Sequence, residues 1–262
     1  MQTDQPMDTD YDAVAHFYDA WHDRWPDNVK ANCIDALEAL AGGGEVLELG
    51  IGTGRLALPL SARGLHVSGV DSSTQMLERL RAKPGASRLS LRCGDFAQIS
   101  LPGPFDLVYI VLSFGYLLTQ EAQLRCFASV ARVLAPAGVF VVQTVMPGSA
   151  IFNRGAGIED VFDVPSPDGD SDGEDGVLLV SSKTDRLHQL IDQRVIVLSG
   201  LRTRIFQHRR RYVWPSELDL LARLAGLTLR ERWGGWQREP FTASSPSQIS
   251  IFGHATAAPA SL

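Results

Sequence analysis

Three glycines at alternate positions, Gly50, Gly52 and Gly54, follow Glu48 in the stretch EVLELGIGTGRLALPL, and Asp71 and Asp95 close the next two apolar runs. Glycine lets a backbone approach a ligand closely, and a helix N-terminus directly after such a loop favours a negative group. Glu48 carries the reverse preference, an acceptor beside a cation. Asp71 stands where an acidic side chain meets ribose hydroxyls in a sheet of parallel strands. Asp95, in CGDF, could accept from an exocyclic amine while the Phe96 backbone N–H donates to a ring nitrogen. Acids closing three successive strands would repel a dinucleotide pyrophosphate, and the dinucleotide fingerprint needs its third glycine where Arg55 stands. A ligand with a ribose, an adenine and a positive charge suits them.

Bringing these groups together takes strands that end side by side. Short apolar runs at 45–49, 66–70, 89–92, 106–111 and 138–144 read as strands. Helical spacing separates them over 29–41, from Arg55, from Ser72 with a Ser72-x-x-Gln75 capping box, and over 120–134. Strands alternating with helices imply a parallel sheet covered on both faces, with ligands bound beyond the carboxyl ends of the strands where strand order reverses. Pro59 should kink the helix after the glycines or mark a short first turn.

Ahead of the sheet, Tyr11, Val14, Phe17, Tyr18, Trp21 and Trp25 recur at the spacing of one or two short amphipathic helices. Behind it, 160–176 carries seven acids and two prolines and reads as a solvated loop. Three alternating segments, 177–185, 187–199 and 202–213, then suggest an antiparallel ribbon, followed by a helix from Pro215 and strands at 227–233 and 249–254. The organisation expected is one domain over 1–262: lid helices 8–28, cofactor-binding core 29–147, acidic loop and antiparallel insertion 148–213, C-terminal helix and last strands 214–254, and a disordered tail 255–262.

The 262 residues are 45% hydrophobic, with a formal net charge of −6 and a pI of about 5.5, which argues against nucleic acid as a partner. No stretch reaches the roughly 18 apolar residues of a membrane span. The acidic start MQTDQPMDTDYD is unlike a secretory signal, so a cytoplasmic protein is expected. Cys33, Cys93 and Cys126 are scattered, without a C-x-x-C, and read as reduced small hydrophobes rather than a disulfide framework or a metal site. The one basic run, His208-Arg209-Arg210-Arg211, reads either as the solvated face of a strand or as a contact for phosphate or substrate.

Taken in order, ELGIGTG, VSGVDSS, CGDF and FDLVYIVLSFGYLLTQEAQLRCFASVARVLAPAGVFVVQTVMP resemble the class I S-adenosylmethionine-dependent methyltransferases. They match that family's E/D-x-G-x-G-x-G motif, its ribose-binding and adenine-binding strand ends, and its fourth strand, long helix and L-x-P-G-G turn. Ala137 replaces the first glycine of that turn. The resemblance covers 11–147 closely and 212–253 loosely. It implies an α/β fold with a doubly wound, Rossmann-like, mostly parallel seven-stranded sheet, N-terminal lid helices and an inserted antiparallel β-ribbon. The cofactor it implies is S-adenosylmethionine. Gly50, Gly52 and Gly54 would line the methionine and ribose portion, with Glu48 beside the cation and Tyr11 over it. Asp71 would bind the ribose hydroxyls with Ser72 next to it, Met76 would pack on the adenine, and Asp95 with Phe96 would read its edge. Carbonyls near Gly50 and Val111 would receive the ammonium.

Absences narrow the acceptor. After the fourth strand the chain reads Val111-Leu112-Ser113-Phe114-Gly115-Tyr116, without the D/N-P-P-Y/F of amino-methyltransferases acting on nucleic acid, a motif cysteine, or the acidic ligands of metal-assisted catechol-type enzymes. The expectation is metal-free transfer to a nitrogen or oxygen of a small-molecule acceptor of the natural-product type. A cofactor-binding protein that transfers no methyl is the alternative. Tyr11, Tyr18, Trp21 and His22 of the lid would face the sulfonium or the acceptor. Ser113 and Tyr116 would contact the acceptor, as would Arg204, His208 and Trp214 of the ribbon, which resembles the insertion of amino-sugar N-methyltransferases. For a general base His22 leads, with Tyr116 and His208 after it, although an amine can do without one. The ribbon is also the expected surface of a homodimer.

Overall fold

A computed structural model describes residues 11–15, 18–19, 26–148, 157–164, 176–199 and 202–255. Trp21, His22, the tail beyond 255 and most of the acidic stretch, 165–175, lie outside the described residues.

The elements run α1 (Tyr11–Val14), α2 (Asp27–Ala41), β1 (Glu45–Leu49), α3 (Ala57–Ala62), β2 (His66–Asp71), α4 (Thr74–Arg81), β3 (Ser90–Cys93), β4 (Phe105–Val111), α5 (Gln120–Val133) and β5 (Leu134–Val145). Then follow β6 (Gly157–Val164), β7 (Gly176–Asp185), β8 (Leu190–Ser199), β9 (Arg202–Arg211), α6 (Pro215–Leu224), β10 (Leu227–Trp233) and β11 (Ser247–His254). Seven strands form one sheet in the order β10-β11-β5-β4-β1-β2-β3. β11 is antiparallel to both neighbours and every other adjacent pair is parallel. Strand order reverses between β1 and β4, so the loops leaving those two strands diverge and open a crevice at their carboxyl ends.

The central strands β1 and β4 are buried on both faces because they are mostly apolar, while the edge strands β3 and β10 are largely exposed, and successive residues of β1 feed different cores. Val46 joins Leu37, Leu60 and Leu77 beneath α2, α3 and α4. Leu47 and Leu49 join Phe127, Phe140 and Phe252 on the side of α5 and α6, where the Phe127 ring meets Phe114, Phe140 and Phe252 edge-on at 5.1–5.7 Å. No helix among the described residues is long and apolar enough to cross a membrane.

Local chemistry sets the helix ends. Gly42, at φ 57°, closes α2 in the left-handed conformation and donates to Glu38 O. Pro59 is the third residue of α3, where a helix has no intrahelical partner for an N–H in any case, so no kink follows; Leu60 still donates to Leu56 O at 3.2 Å. The cap of α4 is Ser73, whose hydroxyl accepts from Met76 N, rather than the Ser72–Gln75 box expected from the sequence. Asp71 Oδ1 takes the Ser73 N–H at 2.9 Å, and that bond delays the first helical turn by one residue.

The insertion is a four-stranded antiparallel sheet, β6-β7-β8-β9, where three strands were expected. β6 includes Asp160 and Asp163, read above as loop, and pairs Asp160 with Val180 and Phe162 with Leu178. Its Ile158, Val161, Phe162 and Val164 supply the β propensity that the acidic composition masked. Arg211 fastens this ribbon to the core. Only 5% exposed, it donates to Gln123 of α5 (2.7 Å), to Gln189 ahead of β8 (2.8 Å) and to Glu217 of α6 (2.6 Å).

A second buried polar group lies inside the main sheet. The Glu48 carboxyl, 5% exposed, accepts from the Tyr109 hydroxyl across the strand pair at 2.8 Å, and burial pushes its pKa up to about 8.

Two outcomes follow from these buried groups. Arg211→Met takes the cation from the Glu217 carboxylate, which keeps the Gln120 and Gln189 amides, and removes the Arg211 donor from Gln123 and Gln189; it should lower stability to urea by about 3 kcal/mol, with a partial recovery on adding Glu217→Gln; a loss below about 1 kcal/mol would show that the contact holds nothing. The folded state binds the Glu48 proton more tightly than the unfolded chain, so this group's contribution to stability is complete below about pH 4.5 and is lost as pH rises toward about 8. The melting temperature of wild type should therefore fall from pH 6.5 to 8 more steeply than that of Glu48→Gln, and parallel profiles would contradict the burial argument.

Candidate active site

The crevice at the β1–β4 switch point is a cavity of about 640 Å³. Its floor is the loop after β1. Gly50 N and Ile51 N donate to Val70 O at 2.8 and 3.1 Å, and Gly52 N donates to Asp71 Oδ2 at 2.7 Å, which binds the loop to the end of β2. Gly50, at φ 74°, sits so close to Ser113 that a Cβ would lie 2.9 Å from it. A Cβ on Gly52 would meet nothing within 4 Å and would project into open space. Both line the cavity; Gly54 does not. A Cβ there would lie 2.3 Å from Leu80 Cδ1, so Gly54 serves the packing of loop on α4 rather than the ligand.

Glu48 is a further correction. It lies behind the loop, bonded to Tyr109, and does not line the cavity, because β1 is buried on both faces and its side chain points to β4.

The side toward β2 and β3 carries Asp71, Ser72, Asp95, Phe96 and Met76, as expected. Asp71 is held by the N–H groups of Gly52 and Ser73, while burial, with a smaller push from Asp12, raises its pKa. Asp95 Oδ1 accepts from Ala97 N at 2.7 Å, which orients its carboxylate. Met76, 2% exposed, packs against Ala15, Tyr11 and Tyr18. These groups fit the S-adenosylmethionine expected from the sequence: the space at Gly52 admits a ligand against the backbone, and each Asp71 oxygen keeps lone pairs for ribose hydroxyls.

The opposite side, beyond β4, carries Val111, Ser113 and Tyr116. Leu112 holds the left-handed conformation there at φ 65°, a strained backbone for a residue with a branched side chain. The N-terminal segment forms the roof. Tyr11 stands edge-on to Tyr18 at 6.0 Å and to Tyr116 at 5.2 Å, and burial raises the pKa of all three phenols, so they stay neutral. Asp12 accepts from the Ser73 hydroxyl (2.5 Å) and Gln75 N (3.2 Å); Asp19 accepts from Thr53 Oγ1 (2.5 Å) and pairs with Lys83 (2.7 Å).

The ribbon residues divide differently from expectation. His208 is 9% exposed and does not line the cavity; its ring lies 6.3 Å from that of Tyr116, with Nε2 against Gln193 Oε1 at 2.9 Å. Burial and then Arg210 push its pKa down to about 4, so it is neutral near pH 7. Arg204 and Trp214 also lie outside the cavity. Trp214 caps α6 at 39% exposure with its ring edge-on to Tyr212, a position set by the start of the helix. Arg209 and Arg210 of the basic run, for which the sequence reading allows either a solvated face or a substrate contact, line the cavity, and so does Arg55, for which it holds no site role. The signal for the first two was the basic run itself, and for Arg55 its place directly behind the glycines.

A family model described as a methyltransferase domain matches residues 46–138, from β1 to the turn in β5. Cypemycin N-terminal methyltransferase from a Streptomyces species is 29% identical over 210 residues, 80% of this chain and 82% of that protein. The structure of the CcbJ methyltransferase from Streptomyces caelestis superposes with a TM-score of 0.76 at 35% identity, covering 95% of this chain and 98% of that one. S-adenosylmethionine-bound CalS10 from Micromonospora echinaspora, an amino pentose methyltransferase, shares the fold with a TM-score of 0.67 at 20% identity over 94% of this chain and 96% of its own. A relative 35% identical along almost its whole length and the matched domain model agree: the chain belongs to the S-adenosylmethionine-dependent methyltransferases.

Proposed function

We propose that the chain transfers the methyl group of S-adenosylmethionine in line to a nitrogen or oxygen of a small-molecule acceptor, without a metal, leaving S-adenosylhomocysteine. The observation that carries this reading is one cavity of about 640 Å³ with Asp71 and Asp95 on the β2–β3 side of the glycine loop and Ser113 and Tyr116 on the β4 side. That volume is of the size that holds small ligands. Nitrogen is favoured by the 29% identical relative whose name places its methyl on an N-terminal amine.

When bound, S-adenosylmethionine supplies an electrophilic methyl on a cationic sulfur, and the displacement neutralises charge. The protein therefore works mainly by orientation and by excluding water. Asp71 accepts from the ribose hydroxyls, while Asp95 and the Phe96 N–H read the adenine edge. Tyr11, Tyr18 and Tyr116 close the cavity with neutral rings whose faces tolerate a cation and whose hydroxyls donate hydrogen bonds. Ser113 and Tyr116 are the polar groups beside the acceptor. His208 supports Tyr116 from behind, and no step needs it as a base for an amine that arrives neutral.

Two measurements test this reading. Added amine or hydroxyl acceptors should drive release of S-adenosylhomocysteine from S-adenosylmethionine; a protein that binds the cofactor yet releases none with any acceptor would sink the assignment. Asp71→Ala should weaken cofactor binding by about 1.5–3 kcal/mol in calorimetry through lost charged hydrogen bonds, and an unchanged affinity would remove Asp71 from the ribose.

A further inference from the structure

Three consecutive arginines end β9, and their surroundings differ. Arg209 pairs with Asp192 at 2.5 Å and Arg211 with Glu217 at 2.6 Å. Arg210, between them, lines the main cavity, pairs with no carboxylate among the described residues, and has a buried Nε without a hydrogen-bond partner there. Behind it lies a second cavity of about 40 Å³, bordered by Arg210, Leu112 and Val145, which also line the main one, and by Thr144. The Thr144 hydroxyl is likewise buried without a partner. Two unused donors thus flank a recess that opens beside the acceptor end of the site. A buried Nε–H and a buried hydroxyl without partners are costly unless something satisfies them.

We propose that the methyl acceptor carries an anionic oxygen group, a carboxylate or a phosphate, held by Arg210 with the Thr144 hydroxyl as second donor. The proposal rests on the methyl-transfer reading and names the acceptor class for it. Planar guanidinium forks suit such oxyanions. The family resemblance would put the methionine portion of the cofactor at the glycine loop, where Arg55 lines the cavity, whereas Arg210 stands across it beside β4 and β5. Arg210 is also well based for this purpose. A Cβ on Gly115 would lie 3.0 Å from Arg211 O and 3.5 Å from Arg210 Cβ, so the turn bearing Tyr116 rests directly on this part of β9.

The test is an NMR titration of the protein saturated with S-adenosylhomocysteine, following the Arg210 Nε–H resonance, which is assigned by its absence in Arg210→Lys. Acetate and inorganic phosphate are the probes and neutral acetamide is the control, all at constant ionic strength. A saturable shift with acetate, with phosphate or with both is expected, and whichever anion gives it names the source; acetamide should give none. Arg210→Met should lower the affinity for the responding anion about ten-fold or more, Arg210→Lys should lose less, and both should bind S-adenosylhomocysteine as wild type does. An Nε–H that exchanges with water and ignores both anions would overturn the proposal, since a solvent molecule then satisfies it. A ten-fold loss of S-adenosylhomocysteine affinity in Arg210→Met would overturn it as well, by giving Arg210 to the cofactor. Failure of the methyl-transfer reading would instead appear as no product from S-adenosylmethionine with any acceptor, which leaves this titration readable.

Discussion

The geometry of the cavity depends on the carboxylate of Asp71, which joins two loops through its two oxygens. One oxygen takes the Gly52 N–H from the loop after β1 and the other takes the Ser73 N–H at the start of α4. Charged hydrogen bonds are worth about 1.5–3 kcal/mol each, and here they offset part of the cost of burying the carboxylate, the remainder of which its raised pKa records. The geometry they fix leaves the remaining lone pairs of Asp71 facing the cavity. A group that first holds the protein together is thus already oriented for a ligand, and no reorganisation is needed when one binds.

The roof is fastened to the same platform. Asp12 reaches the hydroxyl of Ser73, whose N–H Asp71 holds, and the Gln75 N–H two residues on, and the two carboxylates are close enough for Asp12 to raise the pKa of Asp71. Asp19 is anchored farther along, by Thr53 of the glycine loop and Lys83 beyond α4. Both anchors are polar and partly exposed, whereas Tyr11, Tyr18 and Met76 bury an apolar contact between them. The polar anchors face water while the aromatic contact closes the cavity beneath them, so the two kinds of contact are divided between the rim and the interior of the roof.

The cofactor side was legible in the sequence because its signals are local. Gly50, Gly52, Asp71 and Asp95 each occupy a strand end whose position follows from an apolar run and a turn, and all line the cavity. Gly54 and Glu48 share the motif but not the location, and the difference lies in partners distant along the chain. Gly54 meets Leu80, and Glu48 is opposite Tyr109 in the strand pairing. A strand buried on both faces has no polar-out alternation, so nothing in β1 itself announces which way Glu48 points. The ribbon was harder still. Alternation puts His208 with Arg210 and Arg209 with Arg211, but only the register against β8 and the seating on α5 and α6 decide what each face meets. Those are tertiary facts, as is the addition of β6, whose acids looked like those of a loop.

That seating explains how one short stretch can both support and recognise. Arg211 is locked by three partners from separate elements, so the root of β9 is as fixed as the core it touches. Arg210 extends from this fixed backbone, and the turn carrying Tyr116 leans on it at Gly115. Tyr116 and Arg210, which both line the cavity, therefore share one base even though they come from the main sheet and from an insertion far along the chain. Rigidity of this kind lowers the ordering cost of binding and keeps reacting atoms aligned. The outer part of the ribbon carries no such obligation: exposed Leu198 and Ile205 sit toward its far end, beyond the reach of the cavity, where sequence can change without moving Arg210.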